Sequence, residues 1–566
     1  MYGKLEHFLT KRVSKAVMAF VAALSFVGIV WLKSGIFFET NDDRYIASLL
    51  SGVISGKTDP IVFNVNFMLM YPLSCLYRIS CEVPWYGILL VACYVTGYFA
   101  LLLSFYERCR HFVEMVAVTV FMGILSISYW YLIGQIQYTS VTIFLAAAGY
   151  ACLLSDDGKP HWLRRFLCLQ ILACIIRKQA MFLVQPIGLS TYFLYLLFMK
   201  GQSGKEIMRK YIRVAWALLM ALSVEFFGSF LGGYFGSELW EYKQFDDNRR
   251  ILFDYREKPS YDEVSDILNR YQVTKAQYNG YLTYSSISCD VSVACEKEMV
   301  AYVQEKEPFL IKDIFQGLKS LYTQDQSWNI NRLSFVLMLA VVLWGIFTKN
   351  LSLLAAAAGM EIGKVAVWGF LFYQGRILHR VSVPLFAAES LMMAALLVGS
   401  IAESIVSHWK KYVCVLLTLF VILPCGFFSA RQQYRYVRMV NEGQTVFMDG
   451  LREIIEYCEN REEKKFVLDA ASVASYKGSA FETGIYHPSN YIVSGGWFSC
   501  LPTVRDRVRD YLEDAEGIYL VIYVEWAGED NPTVCYFTEL TGNSPVLVDH
   551  IDTSPGVSYA VLYYAF

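Results

Sequence analysis

The run Asn41-Asp42-Asp43-Arg44 sets two adjacent carboxylates directly after the first long apolar segment of the chain. A carboxylate placed there can take a proton from an incoming hydroxyl or orient a cationic group. Helix capping competes with that reading: Thr40 would be the N-cap, Asp43 stands three residues on, and the helix dipole favours acids in a first turn. The two readings are compatible, since a capped helix also fixes where its carboxylates point. Catalysis would fall to Asp43 or Asp42, with Asp43 preferred. A second group is Gly375-Arg376-Ile377-Leu378-His379-Arg380. Arg376 and Arg380 are four apart and would share a helix face. Two guanidiniums at a membrane interface suit a phosphate, because each offers a planar fork of donors; snorkelling to lipid headgroups is the plainer alternative. His379, Arg177 and Lys178 add possible cations at the same depth.

Gln135 and Gln137 could hydrogen-bond a sugar. So could Asp247, Asn248 and Arg249, which stand with Asp246 and Arg250 beside aromatic residues. Glu361 and Lys364, three apart in an apolar stretch, are expected to pair. Glu225 and Glu389 also fall at membrane depth, where charge is costly and points to function. The 14 cysteines show no metal-type spacing. Cys75/Cys81 and Cys289/Cys295 are the close pairs that an oxidising exterior could bridge. No metal ligand set is named, and a divalent metal stays open.

The elements that must position these groups follow from composition. Of 566 residues, 55% are hydrophobic and only 18% charged, against about a quarter charged in soluble domains. A net charge of −2 gives no field for nucleic acid. Stretches near 16–37, 85–105, 112–132, 138–154, 163–178, 181–199, 212–234, 333–347, 351–372, 381–402 and 411–429 are long and apolar enough to span a bilayer. Placing the N-terminus in the cytoplasm puts most loop Lys and Arg inside. The stretch 163–199 is read as two helices, because one helix would send the basic run 200–213 outside. About eleven transmembrane helices result. The transmembrane domain is then 1–431, with extracytoplasmic loops 38–84 and 235–330, and 432–566 is a small extracytoplasmic α/β domain. In the first loop two interrupted amphipathic stretches read as helices on the membrane surface. In the tail, FVLDAASV, YIVSGG and IYLVIYVEW read as buried strands, while RDRVRDYLED and the segment after Pro532 read as helices.

This pattern resembles the GT-C superfamily of membrane glycosyltransferases. It is similar in particular to multi-pass proteins of Gram-positive bacteria with NDD…G…D in the first outer loop and a later GR…RV…PL. Here those residues are Asn41, Asp42, Asp43, Gly56 and Asp59, then Gly375, Arg376, Arg380, Val381, Pro384 and Leu385. The resemblance implies an acidic residue of the first outer loop, here Asp42 or Asp43, that serves as base or orients the acceptor, and a polyprenyl-phosphate-linked sugar as donor substrate, its phosphate held by Arg376 and Arg380. The expected partners are membrane lipid, that lipid-linked donor and a cell-envelope glycan or glycolipid acceptor outside the cell membrane. A transporter or flippase of lipid-linked saccharides, or a scaffold for envelope assembly, are the readings from other classes.

Overall fold

The computed structural model describes residues 11–566 except 63–64, 156–160, 288, 307–310, 324–329, 376, 404–407, 474–475, 483–489 and 514. Helices occupy every stretch that length and apolarity assign to the membrane. In chain order they include α1 (Arg12–Ser34), α2 (Asn41–Ser51), α3 (Phe67–Ile79), α4 (Trp85–Arg108), α5 (Phe112–Ser128) and α6 (Tyr138–Leu154). The segments α7 (His161–Leu197) and α8 (Gly204–Leu231) follow, and then four helices of the large loop: α9 (Ser237–Arg250), α10 (Tyr261–Arg270), α11 (Lys275–Leu282) and α12 (Val293–Lys306). The last are α13 (Ile311–Thr323), α14 (Ile330–Thr348), α15 (Leu351–Gln374), α16 (His379–Glu403) and α17 (His408–Glu459). Among the described residues six helices are long and apolar enough to cross a bilayer, with three shorter apolar ones beside them. The chain is a membrane protein.

The stretch 161–197 is a hairpin. Gln170 and Gln185 are 15 residues apart, and a straight helix would separate them by roughly 22 Å. Gln185 Nε2 nevertheless donates to Gln170 Oε1 at 3.2 Å, so the chain doubles back. The break falls at Arg177, whose backbone is extended (φ −158°, ψ 95°). Both arms pack on α6: the Gln170 amide reaches Ala146 O at 3.0 Å, and the Tyr150 hydroxyl donates to Gln185 at 2.6 Å. The second arm lies tightly on α15, where Gly359 and Gly363 are four apart. A Cβ at Gly363 would stand 2.4 Å from Pro186 O; small residues of this spacing let two helix backbones approach.

Charges at membrane depth are paired between helices. Lys364 of α15 meets Glu389 of α16 at 2.9 Å, and Ser334 donates to the same carboxylate at 2.7 Å. Glu361, the partner expected on the same helix, also acts on the Lys364 charge, and the Glu389 carboxylate of the facing helix, which sequence did not suggest, is fully buried. Lys178 pairs with Glu225 of α8 at 3.0 Å.

Helix α17 runs 52 residues, roughly 78 Å at the usual rise. It carries the chain through position 432 and on into the tail. Two short strands, β1 (Phe37–Phe38) and β2 (Gln135–Ile136), pair with each other, and in the tail β3 (Phe466–Leu468), β4 (Tyr491–Val493), β5 (Gly517–Tyr523), β6 (Val546–Asp552) and β7 (Ser558–Ala565) form one sheet in the order β4-β3-β5-β7-β6. Strands β3, β4 and β5 are parallel and buried, as their apolar runs require. The two helices expected in the tail are present: α18 (Pro502–Glu513) leads from β4 to β5, and α19 (Pro532–Thr541) from β5 to β6. The antiparallel β6–β7 hairpin was not anticipated, since β6 is largely exposed and its charged residues interrupt the apolar pattern.

The first loop, the large loop and the tail pack into one layer. Tyr45 of α2 lies on Phe498 with ring centroids 4.6 Å apart. Asp59 takes the Ile61 amide at 2.8 Å and the Thr503 hydroxyl of the tail. Ser285 and Thr533 share a hydrogen bond of 2.6 Å. A Cβ on Gly495 (φ +60°) would lie 1.5 Å from Tyr284 O, so only glycine allows that contact between tail and large loop. The disulfide corrects the sequence reading. Cys289 is joined to Cys500, 211 residues away, with Cα atoms 5.7 Å apart, while Cys75, Cys81 and Cys295 are free. Closeness in sequence suggested the partner; the packing of the large loop on the tail supplied a different one.

Candidate functional site

Beneath this layer lies a polar chamber of about 330 Å³. Each wall comes from a different part of the chain. One wall is the first turn of α2, with Asn41, Asp42 and Tyr45; the floor is Tyr138 of α6, Arg177 at the hairpin tip and Arg380 at the start of α16. The large loop adds Asp246, Arg249 and Arg250 from α9, then Asp254 and Tyr255 from a π-helical continuation over Ile251–Tyr255, a geometry that concentrates at functional sites. Ala470, Ala471, Gly496 and Trp497 close the roof from the carboxyl ends of β3 and β4, the edge where open α/β sheets present ligand sites.

The two adjacent acids part company here. Asp42 lines the chamber with its side chain 26% exposed, and one carboxylate oxygen is 3.9 Å from Arg380 Nη1. The same nitrogen is 3.9 Å from Glu39, whose other oxygen takes the Tyr131 hydroxyl at 3.1 Å. Asp43 is fully buried. It accepts the Tyr86 hydroxyl at 2.9 Å, the Tyr138 amide at 3.3 Å and the Thr40 hydroxyl at 3.3 Å. Burial pushes its pKa well above the usual carboxylate range, the Tyr86 hydrogen bond pulls it back, and the neighbouring Asp42 adds to the rise. The geometry therefore reverses the preference for Asp43: it ties α2 to α4 and α6, and Asp42 faces the space.

Arg177 lies over the Tyr138 ring at 4.7 Å and donates to Thr139. Arg249 holds Asp246 at 2.8 Å, and Arg250 holds it at 3.2 Å. Burial lowers the Arg249 pKa, but the charge and hydrogen bond of Asp246, with Tyr284 and Asp254 beside them, together more than offset it and the net shift is upward. Asp247 is half exposed and bound to Arg250, so it and Asn248 stand behind the chamber wall. Lys178 is engaged by Glu225 and lines neither this chamber nor its neighbour. His379 is exposed at the first turn of α16, and Arg376 lies outside the described residues. Gln135 and Gln137, read from sequence as sugar-binding groups, are sealed in the fold. Gln135 sits in a short strand beside Phe37 and donates to Asn441 of α17; Gln137 caps α6 by accepting the Thr139 amide at 2.6 Å. Sequence reasoning passed over Glu39, Tyr138, Asp254 and Tyr255. Single polar residues at helix ends carry no spacing signal, although Glu39 stands two residues before Asn41, Tyr138 directly follows Gln137, and Asp254 and Tyr255 come soon after Arg250.

A second cavity, about 1110 Å³, opens from the chamber at Arg177, Tyr255 and Arg380, which line both. Its deeper walls are apolar. Phe182, Leu183 and Pro186 come from the second arm of α7, and Val367, Phe370 and Leu371 from α15. Phe182 and Phe370 are exposed, so the groove opens sideways where a bilayer's acyl chains would lie. The arrangement holds an amphiphile: a long apolar tail in the groove, an anionic group at the two arginines, and a polar head facing Asp42.

Neither a family model nor a curated protein matches this chain. Two solved structures are similar to it over nearly the whole length. One is ArnT from Cupriavidus metallidurans in the apo state, 10% identical, covering 97% of this chain and 98% of that one with a TM-score of 0.47. The other is ArnT from the same organism bound to undecaprenyl phosphate, 11% identical, covering 96% and 97% with a TM-score of 0.47.

Proposed function

We propose that this chain is a membrane glycosyltransferase of the GT-C type. It moves a sugar from a polyprenyl-phosphate donor to a hydroxyl of a cell-envelope glycan or glycolipid outside the membrane. The observation that carries the reading is the junction of the apolar groove with the polar chamber at Arg177 and Arg380, the latter 3.9 Å from Asp42. The polyprenyl chain lies along Phe182, Phe370 and Leu371, and its phosphate meets the two guanidiniums. Asp42 takes the proton from the acceptor hydroxyl as that oxygen bonds to the anomeric carbon. The bond from the anomeric carbon to the phosphate oxygen breaks, and the electron pair leaves on the lipid phosphate. Fixed cations there stabilise charge as it develops, which is worth most in a site shielded from water. The sugar occupies the chamber among Tyr45, Tyr255, Tyr284 and Trp497.

The test is incubation of the purified protein with radiolabelled polyprenyl-phosphate sugars and envelope acceptors. Label appearing in the acceptor supports transfer. Label moving across a vesicle membrane while still attached to its carrier would replace the enzyme with a flippase.

The chamber belongs outside the cytoplasm in this reading, together with the loops 38–84 and 235–330 and the tail 432–566. The basic-loop distribution supports that side, and so does Cys289–Cys500, since disulfides persist in oxidising compartments. A cysteine introduced at exposed Glu529, in a background without other reactive cysteines, should react with an impermeant thiol reagent on intact cells. Protection until lysis would place the chamber on the cytoplasmic side and remove a lipid-linked donor's advantage over a nucleotide sugar.

A further inference from the structure

A third cavity, about 670 Å³, lies between α14 and α17 and shares no lining residue with the other two. Its walls are Arg332 from the first turn of α14 and Cys425, Phe428, Arg431, Gln432 and Arg435 of α17. No acidic residue lines it. Arg431 and Arg435 are four apart and so share one helix face, with Phe428 one turn below. Phe428 is 61% exposed and Phe427 beside it 62%, so this face of α17 changes from bare aromatic surface to guanidinium within about two turns. The change falls at the end of the bundle nearest the chamber. Gln433, between the two arginines, bonds to Ser128 O at the last turn of α5, and Asn441, two turns on, reaches Ser34 O at the end of α1.

Arg438, the next basic residue on α17, pairs with Glu442 at 2.6 Å. Among the described residues no ion pair or hydrogen bond joins the Arg431 or Arg435 side chain to a protein acceptor. Isolated arginines can snorkel to bulk headgroups. Here three converge on one concavity above an apolar stripe, the form of basic interhelical pockets that hold anionic lipid heads.

We infer that this pocket is a specific site for a lipid phosphate, separate from the candidate active site. The headgroup phosphate is bridged by Arg431 and Arg435, with Arg332 opposite, and an acyl or prenyl chain runs down past Phe428 and Cys425. Guanidinium forks match phosphate oxygens in pairs. The lipid is either an anionic phospholipid of the surrounding membrane or a polyprenyl phosphate, and the two share this chemistry.

Delipidated full-length protein in nonionic detergent would be titrated separately with phosphatidylglycerol, undecaprenyl phosphate, phosphatidylcholine and inorganic phosphate. Bound lipid would be counted by native mass spectrometry. Arg380→Gln serves as the background for the undecaprenyl phosphate arm, so that the proposed donor site does not contribute. The expected result is one saturable molecule of an anionic lipid per chain, held at least tenfold more weakly by Arg431→Gln/Arg435→Gln and unchanged in Arg438→Gln. Preference for phosphatidylglycerol identifies a membrane-lipid site, and preference for undecaprenyl phosphate a carrier site. The double lysine variant, which keeps the charge and the fold, should lose affinity in part. Equal retention by the glutamine pair and the unaltered protein would overturn the inference, as would binding as tight for phosphatidylcholine. Displacement of the lipid by millimolar inorganic phosphate would also overturn it, by reducing the site to a free-anion one.

Discussion

Asp42→Asn should transfer sugar from a polyprenyl-phosphate donor about 10²–10⁴-fold more slowly than the unaltered protein, the usual worth of a general base, with insertion and thermal stability intact. The basis is position: Asp42 is the acid of α2 that lines the chamber, 3.9 Å from Arg380. Its neighbour provides the contrast. Asp43 is enclosed by Tyr86, Tyr138 and Thr40, and an asparagine can accept the same Tyr86 and Tyr138 hydrogens. Its effect on stability depends on pH with a definite sign. Because burial raises the folded-state pKa, Asp43 favours folding most below the unfolded carboxyl pKa of about 3.9. That contribution declines as pH rises from there to the folded-state pKa and is flat above it. Asp43→Asn should therefore melt at or above the unaltered protein's temperature at pH 7, and the difference should vanish near pH 4. Single-turnover transfer and melting curves, measured on both variants, decide the matter. An inactive but stable Asp43→Asn beside an active Asp42→Asn would reverse the assignment and return α2 to the original preference.

Arg380 is the second position where a large effect is expected. It lines both cavities and faces Glu39 and Asp42 together, so it can hold the leaving phosphate and orient the base at once. Removing a fixed donor from a developing oxyanion costs about 10²–10³ in turnover, and Arg380→Gln should lose at least that. Arg380→Lys keeps the charge but not the fork, and it should fall between the two. The loss should appear in kcat more than in KM, because charge on the phosphate develops as the glycosidic bond breaks. Arg177→Gln should act mainly on KM, since Arg177 is also held by Thr139 and the Tyr138 ring. If Arg380→Gln transfers sugar at the unaltered rate, the phosphate is held elsewhere and Arg380 is a structural partner of the acids.

Much of the fold is written locally. A run of some 20 apolar residues must span or be buried wherever it falls, and the helices follow those runs. The basic run after residue 199 was enough to require a turn inside 163–199, and the hairpin is there. Buried parallel strands are legible as short apolar runs, whereas exposed β6, with Asp549 and His550 in its middle, is not. The short motif NDD…G…D also has a physical content. Gly56 (φ +74°) passes so close to Arg507 that a Cβ would meet its side chain at 2.8 Å, and Asp59 binds Thr503. Those two residues therefore join the first loop to the tail.

The sequence by itself determined the membrane class, the helix positions, the α/β character of the tail and the short list of acids and arginines. Each of these rests on a property of one segment: its length, its apolarity or its charge. The tertiary structure decided which member of each list faces the chamber. Neighbours on a helix point about 100° apart, so Asp42 and Asp43 cannot share a role. The choice between them is set by Tyr86 and Tyr138, 43 and 95 residues further along the chain. The same holds for Cys289 with Cys500 and for Lys364 with Glu389. A partner is chosen by proximity after packing, and no local pattern in the chain encodes that distance.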